Sequence, residues 1–456
     1  MDKVQTVEAI LTKNGAKEKK FLIVTLGCAK NEVDSDRMRS LLLAGGLTET
    51  QESTDADVAL INTCSFLASA TTESVETTLD LAEAVSQGVR NCPLIMCGCV
   101  PSRYGAALPA ELPEVAAFVR TDEEDNILSV VYDVLGMKDS EIPQLAGHML
   151  RTISGASAYV KISDGCNRFC AFCAIPSIRG RYVSRPASEI LTEISELAKG
   201  GVREIVLIGQ DTGIWGSDFK QPSTLAALMR QAAEVMRPYK GWIRVLYLQP
   251  EGMTEELIAT IRDTPEILPY IDIPIQHCNE RVLKSMGRSG SREQLSKLFA
   301  HLRQEIPGMV LRTTGMAGFP GETDEEADEL LDFLAEEGFD YTSVFAYSPE
   351  EGTRGARMAD QIPEDIKLER AQRLQDLADE MGFAATAKHF GEQVDVIIDG
   401  IEEGDDGLEL IGHTWFQAPD SDGAVHIAQG EASVGDIVSC ELVDCVCYEL
   451  YGTICK

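Results

Sequence analysis

Three cysteines in one short stretch are the first residues in this sequence whose type and spacing indicate chemistry. Cys166, Cys170 and Cys173 have the spacing C-x3-C-x2-C, and they follow the strand-like run Ala158–Ile162. Three thiolates in one loop can bind three irons of a four-iron cubane and leave the fourth iron open. One alternative is a structural zinc site, but such a site normally takes four protein ligands. The other alternative is that the three cysteines are buried and pack as small apolar residues. We therefore predict a 4Fe-4S cluster at these thiols.

A second set of cysteines follows three apolar runs near the N-terminus. The runs and their cysteines are Phe21–Leu26 with Cys28, Val58–Ile61 with Cys64, and Leu94–Met96 with Cys99. Helical patterns such as Ser69–Val85 separate the runs, which predicts a parallel sheet. The carboxyl ends of its strands meet at one edge, so the three thiols can converge there. Cys97 would share the strand face of Cys99, which makes Cys97 an alternative ligand.

The rest of the chain predicts two further domains. Six strand-like runs alternate with helical patterns, which is typical of a partial parallel (β/α)6 barrel with its site at the carboxyl-terminal rim. These runs are Ala158–Ile162, Glu204–Ile208, Ile243–Leu248, Tyr270–Ile275, Met309–Thr314 and Thr342–Tyr347. Beyond them, short strands with Gly and Asp turns predict a small antiparallel β-barrel. Those strands are Gln393–Asp399, Leu408–Gly412, Val425–Ala428, Ile437–Leu442 and Glu449–Ile454.

The predicted fold class is α/β, followed by an all-β domain. We expect a flexible tail over residues 1–18, an N-terminal parallel α/β domain over 19–136 and a linker over 137–152. The partial barrel is expected over 153–386 and the small β-barrel over 387–456. Each of the three domains is long enough to bury its own core.

Charge and cysteine content narrow the choice of partners and compartment. The net charge of −34 disfavours extended nucleic-acid binding and fits a basic protein partner, with ordinary solubility as the alternative explanation. Residues 388–456 contain fifteen acids and two lysines, a net formal charge of −13. No window approaches the roughly 18 apolar residues that span a bilayer, so we expect a cytoplasmic protein without a membrane partner. In that compartment thirteen cysteines indicate metal ligation before disulfides.

The residues around both cysteine sets resemble a known family. Phe172, which precedes the last cysteine of the loop, matches the aromatic residue of the radical S-adenosylmethionine (SAM) motif. The segments Thr25–Asn31, Asn62–Cys64 and Gly98–Tyr104 are similar to the N-terminal domain of the methylthiotransferases in that superfamily. The resemblance extends over nearly the whole chain and implies that the C-terminal barrel is of the TRAM type.

Two subgroups of this family act on different substrates. One modifies C2 of an adenosine in transfer RNA, and the other, the RimO type, modifies an aspartate in the twelfth protein of the small ribosomal subunit. The RimO type is the one that four segments resemble: Leu26–Ser35, Ala174–Arg181, Asp272–His277 and Tyr347–Thr353. The acidic C-terminal barrel favours the same choice, because it repels phosphate and attracts a Lys/Arg-rich protein. A transfer-RNA enzyme remains the alternative, and a non-catalytic iron–sulfur electron carrier is the alternative of another class.

The resemblance implies an auxiliary 4Fe-4S cluster on Cys28, Cys64 and Cys99. Cys99 is preferred to Cys97 because the family's cysteine follows a glycine and precedes an Arg-Tyr pair, here Arg103-Tyr104. One SAM molecule would methylate sulfur at this cluster. An external sulfur source would replenish it.

The resemblance implies that the catalytic cluster is the one on Cys166, Cys170 and Cys173. A second SAM molecule would be cleaved there by an electron from an external donor. The resulting radical would take hydrogen from the β-carbon of the aspartate, and the carbon would then collect the methylthio group. The two clusters would have to share one cavity, because the radical is short-lived.

SAM contacts are expected at the ends of the barrel strands. The residues that the resemblance indicates are Phe172, Gln210, Asp211, Thr212, Gly315 and Gly318. The alternative is that Asp211 caps a helix and that the glycines form an ordinary strand-to-helix turn.

Other polar residues and cysteines are weaker candidates. His277 is a candidate acid or base, although such a residue more often satisfies a local hydrogen bond. Arg179, Arg181 and Arg185 are candidates for binding the SAM carboxylate or the substrate, with salt bridges on a solvated face as the alternative. The remaining cysteines are expected to be buried apolar residues: Cys92, Cys278, Cys440, Cys445, Cys447 and Cys455.

Overall fold

The structure is a computed structural model that describes residues 19–86, 92–137, 151–153, 155–404, 407–428 and 430–455. The chain divides into two compact units. The first unit comprises residues 1–152 together with 177–179, and the second comprises 153–176 and 180–456. The predicted tail over 1–18 and most of the predicted linker lie outside the described residues.

The first unit contains a five-stranded parallel sheet in the order β2-β1-β3-β4-β5. The strands are β1 (Lys20–Thr25), β2 (Thr48–Glu49), β3 (Val58–Thr63), β4 (Leu94–Gly98) and β5 (Val115–Arg120). The helices are α1 (Ala29–Ala44), α2 (Ala68–Ser86), α3 (Cys99–Tyr104), α4 (Leu108–Glu111) and α5 (Ile127–Val134). The three predicted strands are the three central ones. Both missed strands, β2 and β5, are edge strands, which carry a weaker apolar pattern.

Apolar clusters cover both faces of this sheet. Successive side chains of a strand point to opposite faces, and Phe21 and Leu60 accordingly pack with Met38 in one cluster. Leu22 and Ile61 pack in a second cluster on the other face. Every residue of β3 is buried, which explains why its sequence is a continuous apolar run rather than an alternating one.

The second unit contains a six-stranded sheet in the order β13-β12-β11-β10-β9-β6, with every neighbouring pair parallel. The strands are β6 (Ser157–Lys161), β9 (Glu204–Ile208), β10 (Trp242–Val245), β11 (Ile267–Gln276), β12 (Val310–Ala317) and β13 (Tyr341–Ala346). A separate antiparallel ribbon, β7 (Ser163–Asp164) and β8 (Val183–Ser184), flanks the cysteine loop. The predicted six-stranded βα architecture is confirmed.

Helices between these strands cover the sheet and build one large apolar core. They are α7 (Ala187–Gly200), α8 (Leu225–Met236), α9 (Glu255–Asp263), α10 (Glu280–Met286), α11 (Arg292–Glu305), α12 (Asp324–Glu337) and α13 (Glu364–Ala387); the one-turn α6 (Ile175–Ile178) follows the cysteine loop. Helix α12 begins with a capping box, in which Thr323 and Glu326 satisfy each other's backbone N–H, and it ends at Gly338 with φ 59°. Such caps fix where each strand-to-helix loop ends, at the rim that carries the site.

The C-terminal part of the second unit is a closed five-stranded barrel in the order β14-β15-β16-β18-β17. The strands are β14 (Gln393–Gly404), β15 (Gly407–Thr414), β16 (Val425–Ile427), β17 (Ile437–Val446) and β18 (Glu449–Ile454). The predicted barrel is confirmed, but it is not wholly antiparallel, because β16 and β18 run parallel. A closed ring with an odd number of strands cannot alternate direction throughout, so one parallel pair is required.

This barrel docks onto the amino ends of the six-stranded sheet. Glu204, the first residue of β9, accepts hydrogen bonds from Arg244 Nε at 2.6 Å and bonds His413 Nε2 of β15 at 2.7 Å. Asp422 bonds Arg312 Nε at 3.2 Å. The barrel therefore lies opposite the carboxyl-terminal rim of the sheet. Among the described residues, no helix combines the length and apolarity that crossing a membrane demands.

Candidate functional site

Cys28, Cys64 and Cys99 lie at the carboxyl ends of three adjacent strands of the first unit. Cys28 is the N-cap of α1, Cys64 follows β3 directly, and Cys99 is the first residue of α3. The strand ends are level with one another, since Thr25 pairs with Asn62 in register and the next residue of β3 pairs with Gly98 of β4. The sheet therefore places the three cysteines at one edge, and their binding of a common cluster stays a prediction.

Asn31 links the strand ends to the thiols. Its Nδ2 donates to the carbonyl oxygens of Leu26 and Thr63, both at 2.9 Å. Two carbonyl acceptors fix the orientation of the amide, so Oδ1 must face the other way. That oxygen lies 4.0 Å from Cys28 Sγ and 3.9 Å from Cys99 Sγ. Asn31 thus connects the strand ends to two of the thiols, a role that its place in the Thr25–Asn31 motif does not indicate.

Arg179 is the buried cation of the same site. Its Nη2 donates to Asn31 Oδ1 at 2.9 Å and lies 3.9 Å from Cys99 Sγ, while Nη1 donates to Asp34 Oδ2 at 2.9 Å. The side chains of Arg179 and Asp34 are only 3% and 2% exposed. Arg179 thus forms a salt bridge, but a buried one rather than one on a solvated face, and its binding of the SAM carboxylate or the substrate stays a prediction. Its charged group is engaged by the Asn31–Asp34 side of the auxiliary thiols.

Two glycines and a second asparagine allow the strand-end segments that carry the thiols to lie close together. Gly27 has φ 101°, and a side chain there would meet Cys64 Sγ at 3.1 Å and Asn31. Gly98 has φ 91°, a conformation that glycine adopts readily, and it turns the chain from β4 into α3. Asn62 Nδ2 donates to the Asn31 carbonyl at 2.9 Å, so the two asparagines brace each other.

Cys97 and Cys99 point into different surroundings. Cys97 is fully buried and packs in the apolar cluster with Phe21 and Leu60. Burial raises the pKa of its thiol well above the usual value. The turn at Gly98 ends the strand between the two cysteines, so the i, i+2 rule does not hold there. Of the two, only Cys99 lies beside Asn31.

Burial makes the charged form of these thiols costly. It raises the pKa of Cys64, and it raises the pKa of Cys99 to about 12, with Arg179 acting in the opposite direction. Thiolates at such a place require a strongly positive group, which a metal centre supplies. Among the described residues, no three His, Cys, Asp or Glu side chains converge as ligands of a single ion do. The 4Fe-4S cluster expected on these three cysteines stays a prediction.

Cys166, Cys170 and Cys173 lie in one loop of the second unit, after β6 and β7. Gly165 opens the loop with φ 73°, and a side chain there would collide with the backbone of Arg181. Cys166 N donates to the Gly180 carbonyl at 3.2 Å, and Cys173 N donates to the Cys170 carbonyl at 3.1 Å. Ala171, between Cys170 and Cys173, donates its N–H to the Met286 carbonyl and accepts from the Gly355 N–H, both at 2.7 Å, so local and distant backbone bonds together hold the loop.

Two arginines counter the burial of this second triplet. Burial raises the pKa of Cys170, whereas Arg288 and Arg168 lower it. Burial also raises the pKa of Cys173 to about 12. Arg168 is held by Asp211 Oδ2 at 2.5 Å, and Arg288 donates to the Pro274 carbonyl at 2.8 Å. Sequence reasoning missed Arg288, which lies more than a hundred residues from the loop and carries no local signal.

The rim residues predicted to contact SAM lie together beyond β9. Gln210 Nε2 donates to Asp164 Oδ1 at 3.0 Å, and Thr212 Oγ1 donates to the Leu246 carbonyl at 2.8 Å. Gln210 Oε1 and Asp211 Oδ1 are buried, and neither has a hydrogen-bond partner in the part of the chain that the structure describes. Buried polar atoms are almost always paired, so these two suit a bound donor such as an ammonium or hydroxyl group.

The other predicted SAM contacts have local packing roles. Phe172 packs against the apolar cluster that contains Tyr347. At Gly318, with φ 77°, a side chain would collide with Lys367, and the Gly318 N–H donates to the Glu322 carboxylate at 3.0 Å. A Cβ atom at Gly315 would lie 3.8 Å from the side chain of Leu334 in helix α12. These contacts with SAM stay predictions.

His277 and the two remaining arginines have local partners. His277 Nδ1 accepts the backbone N–H groups of Cys278 and Asn279, both at 3.0 Å, and burial lowers its pKa to about 4. This is the local hydrogen bond that the sequence favoured over catalysis. Arg185 donates to the Lys161 carbonyl and pairs with a glutamate of α7. The Arg181 guanidinium lies over the Phe169 ring, 4.4 Å from its centroid.

Not all of the other cysteines are buried. Cys92, Cys278 and Cys440 are buried, as predicted. The expectation is wrong for Cys447, which is exposed, and it overstates the burial of two others, Cys445 and Cys455. Cys447 has φ 58° in the turn between β17 and β18, where the hairpin projects its residues into solvent.

Three family models match successive parts of the chain. The uncharacterized protein family UPF0004 matches residues 20–120, the radical SAM superfamily matches 160–334, and the TRAM domain matches 390–455. The first contains the Cys28 triplet and the second contains the Cys166 triplet.

Relatives align over almost the full length. A protein of Trichlorobacter lovleyi named ribosomal protein uS12 methylthiotransferase RimO is 40% identical, and the alignment covers 95% of this chain and 97% of that protein. The chain belongs to the RimO family. RimO-family proteins of Geobacter sulfurreducens and Thermosynechococcus vestitus, with the same name, are 40% and 39% identical, with 97% and 96% of this chain and 99% and 97% of those proteins covered.

Solved structures share the fold with this RimO-family chain. The radical SAM methyltransferase TsrM from Kitasatospora setae superposes with a TM-score of 0.57 at 14% identity, over 83% of this chain and 76% of that one. The cobalamin-dependent SAM radical enzyme OxsB gives a TM-score of 0.50 at 12% identity, over 79% and 56%. At such identities the similarity concerns the fold alone.

Proposed function

We propose that this protein attaches a methylthio group to ribosomal protein uS12, at the β-carbon of an aspartate, using SAM and two 4Fe-4S clusters. The observation that carries the proposal is a pair of three-cysteine sites in a chain that aligns end to end with RimO proteins. When bound, the two clusters supply reductive cleavage of SAM to a radical and the sulfur that is methylated and transferred.

Cys166, Cys170 and Cys173 would hold the catalytic cluster and leave one iron for SAM. The residues of this loop act by position: Gly165 permits the tight turn, and backbone bonds fix the three thiols. Arg168 contributes positive charge that offsets the burial of thiolates. A group bound here is held by a pre-shaped loop rather than by one that must order itself around the metal.

Cys28, Cys64 and Cys99 would hold the auxiliary cluster. Asn31 keeps two strand ends in register by donating to both of their carbonyls, so the thiols keep their spacing. Cys97 has no place in this set, since it packs in the apolar cluster.

Gln210, Asp211 and Thr212 would orient SAM at the rim. The unpaired oxygens of Gln210 and Asp211 would accept from the amino or hydroxyl groups of that molecule. Gly315 of β12 and Gly318, just after its end, would let the backbone approach the adenine. Phe172 would pack beside the loop that carries the cluster.

The partner of the acidic C-terminal barrel would be a basic protein. Fifteen acids against two lysines over residues 388–456 attract Lys- and Arg-rich surfaces and repel phosphate. The barrel lies opposite the carboxyl-terminal rim, so it would contribute binding rather than chemistry. An electron donor and a sulfur source, both external, complete the reaction in the cytoplasm, where ribosomes are made.

Mass spectrometry of modified molecules tests the substrate. A strain that lacks the gene should lose the mass of one methylthio group from a single aspartate of uS12, and the reintroduced gene should restore it. Transfer-RNA nucleosides are measured from the same cells as the control. Unchanged uS12 with a missing methylthio-adenosine would replace this proposal with the transfer-RNA enzyme.

Metal analysis tests the two sites. Anaerobically reconstituted protein should contain about eight irons per chain. SAM cleavage without any transfer of sulfur, in protein with only about four irons, would contradict the second cluster.

A further inference from the structure

Arg179 is buried beside the auxiliary thiols with its charge directed by two partners. Asp34 accepts from Nη1 at 2.9 Å and Asn31 Oδ1 accepts from Nη2 at 2.9 Å. These two acceptors fix the plane of the guanidinium, and Nη2 then lies 3.9 Å from Cys99 Sγ. Because the planar guanidinium is held by two acceptors, it has little freedom to rotate Nη2 away from the Cys99 sulfur.

The arrangement does more than satisfy a salt bridge. Asp34 alone would neutralise the charge of Arg179. The side chains of this pair are only 3% and 2% exposed, and burying two charges costs more desolvation free energy than a pair at the surface does. The cost is offset if the cation also stabilises sulfur anions nearby. Cys99 Sγ, which lies 3.9 Å from Nη2, is such a sulfur.

We propose that Arg179 is a positioning residue of the auxiliary site: its guanidinium, oriented by Asp34 and Asn31, directs an N–H group at the Cys99 sulfur and raises the reduction potential of the cluster bound there. This inference rests on the proposed function, since it requires an auxiliary cluster. Hydrogen bonds to ligand sulfurs and nearby positive charge both favour the more negative, reduced state of a cluster.

The test measures the auxiliary cluster alone, in full-length protein. Replacing Cys166, Cys170 and Cys173 together with Ala gives a reference protein that should hold about four irons after anaerobic reconstitution. Its midpoint potential is measured by redox titration followed with electron paramagnetic resonance. In this background, R179M should shift the midpoint to a more negative value. R179K keeps the charge but loses the fork, so its shift should have the same sign and be smaller.

The control is R120M, which removes an equal charge from the surface of the same unit. Arg120 is 49% exposed and pairs with Asp122, so its loss should leave the midpoint at the reference value. An R179M protein that holds its irons and keeps the reference midpoint would overturn the inference.

Two further outcomes are also decisive. If R179M fails to hold the cluster, R179K decides: a lowered midpoint supports the inference and an unchanged one overturns it. A reference protein that binds no iron would refute the auxiliary cluster itself, and with it the proposed function, before any Arg179 variant is compared.

Discussion

Cys166, Cys170 and Cys173 come from one loop, whereas Cys28, Cys64 and Cys99 come from three strand ends separated by long stretches of chain. A glycine turn and backbone hydrogen bonds set the loop, and these bonds include two that join Ala171, between Cys170 and Cys173, to Met286 and Gly355. The strand-end site depends instead on side chains that cross between segments, such as Asn31 and Arg179. In the loop the short chain segment itself keeps the three cysteines close together, whereas the spacing of the strand-end cysteines depends on the sheet.

The largest effect should follow from removing a thiol of the loop. C173A should abolish both SAM cleavage and methylthiolation, because a cluster that loses one of its three thiolates cannot present its open iron to SAM. Cleavage is measured as 5′-deoxyadenosine and transfer as modified uS12. The matched control is C447A, which removes an exposed thiol of the C-terminal barrel and should change neither product. Continued cleavage by C173A would show that the loop does not hold the catalytic cluster.

Removing a thiol at a strand end should separate the two activities. C28A should lose methylthiolation but retain 5′-deoxyadenosine formation, because the loop of the second unit is unchanged. Iron should fall from about eight to about four per chain. If C28A instead lost SAM cleavage as well, the two sites would not be independent in the way that their different construction implies.

Replacing Asn31 should disrupt the site of Cys28, Cys64 and Cys99 without removing a cysteine. N31A removes one buried and one partly buried hydrogen bond, to the Thr63 and Leu26 carbonyls, a cost of about 1–3 kcal/mol. Hydrogen exchange of the β1 and β3 amides should accelerate accordingly, and auxiliary iron should fall while SAM cleavage persists. S86A, which removes an exposed bond at the end of α2, is the control. Unchanged exchange in N31A would contradict the bracing role.

The smallest effect should come from Cys97. C97A leaves a small cavity in the apolar cluster and should destabilise the first unit by about 1–2 kcal/mol. Iron content and both products should remain those of the unaltered protein. Loss of the auxiliary cluster in C97A would instead make Cys97 a ligand and remove the distinction from Cys99.

The sequence predicted most of what is repetitive and apolar. The six βα units could be predicted because buried parallel strands have continuous apolar sequences, as in Glu204–Ile208. The strands of the small barrel could be predicted from their Gly and Asp turns. Edge strands such as β5 were missed, since half-exposed residues weaken the pattern. The domain boundaries stay a prediction, and so do the assigned ligands.

The polar contacts around the thiols could not be predicted from the sequence. Asn31 and Arg179 lie in segments that resemble the family, yet nothing in their spacing indicates that these two residues, 148 positions apart, are partners. Arg288 illustrates the same gap at the other site. Such pairs depend on tertiary packing, and only the folded chain brings them together.

The membership of residues 177–179 in the first unit has a consequence for dissecting the protein. A fragment that stops at Thr152 would keep all three auxiliary cysteines and the Asn31 amide but would lack Arg179. Its iron centre would therefore differ from that of the intact chain even if the fragment folded perfectly. Residues 1–152 therefore do not make a complete first unit, because Arg179 comes from a segment that interrupts the sequence of the second unit.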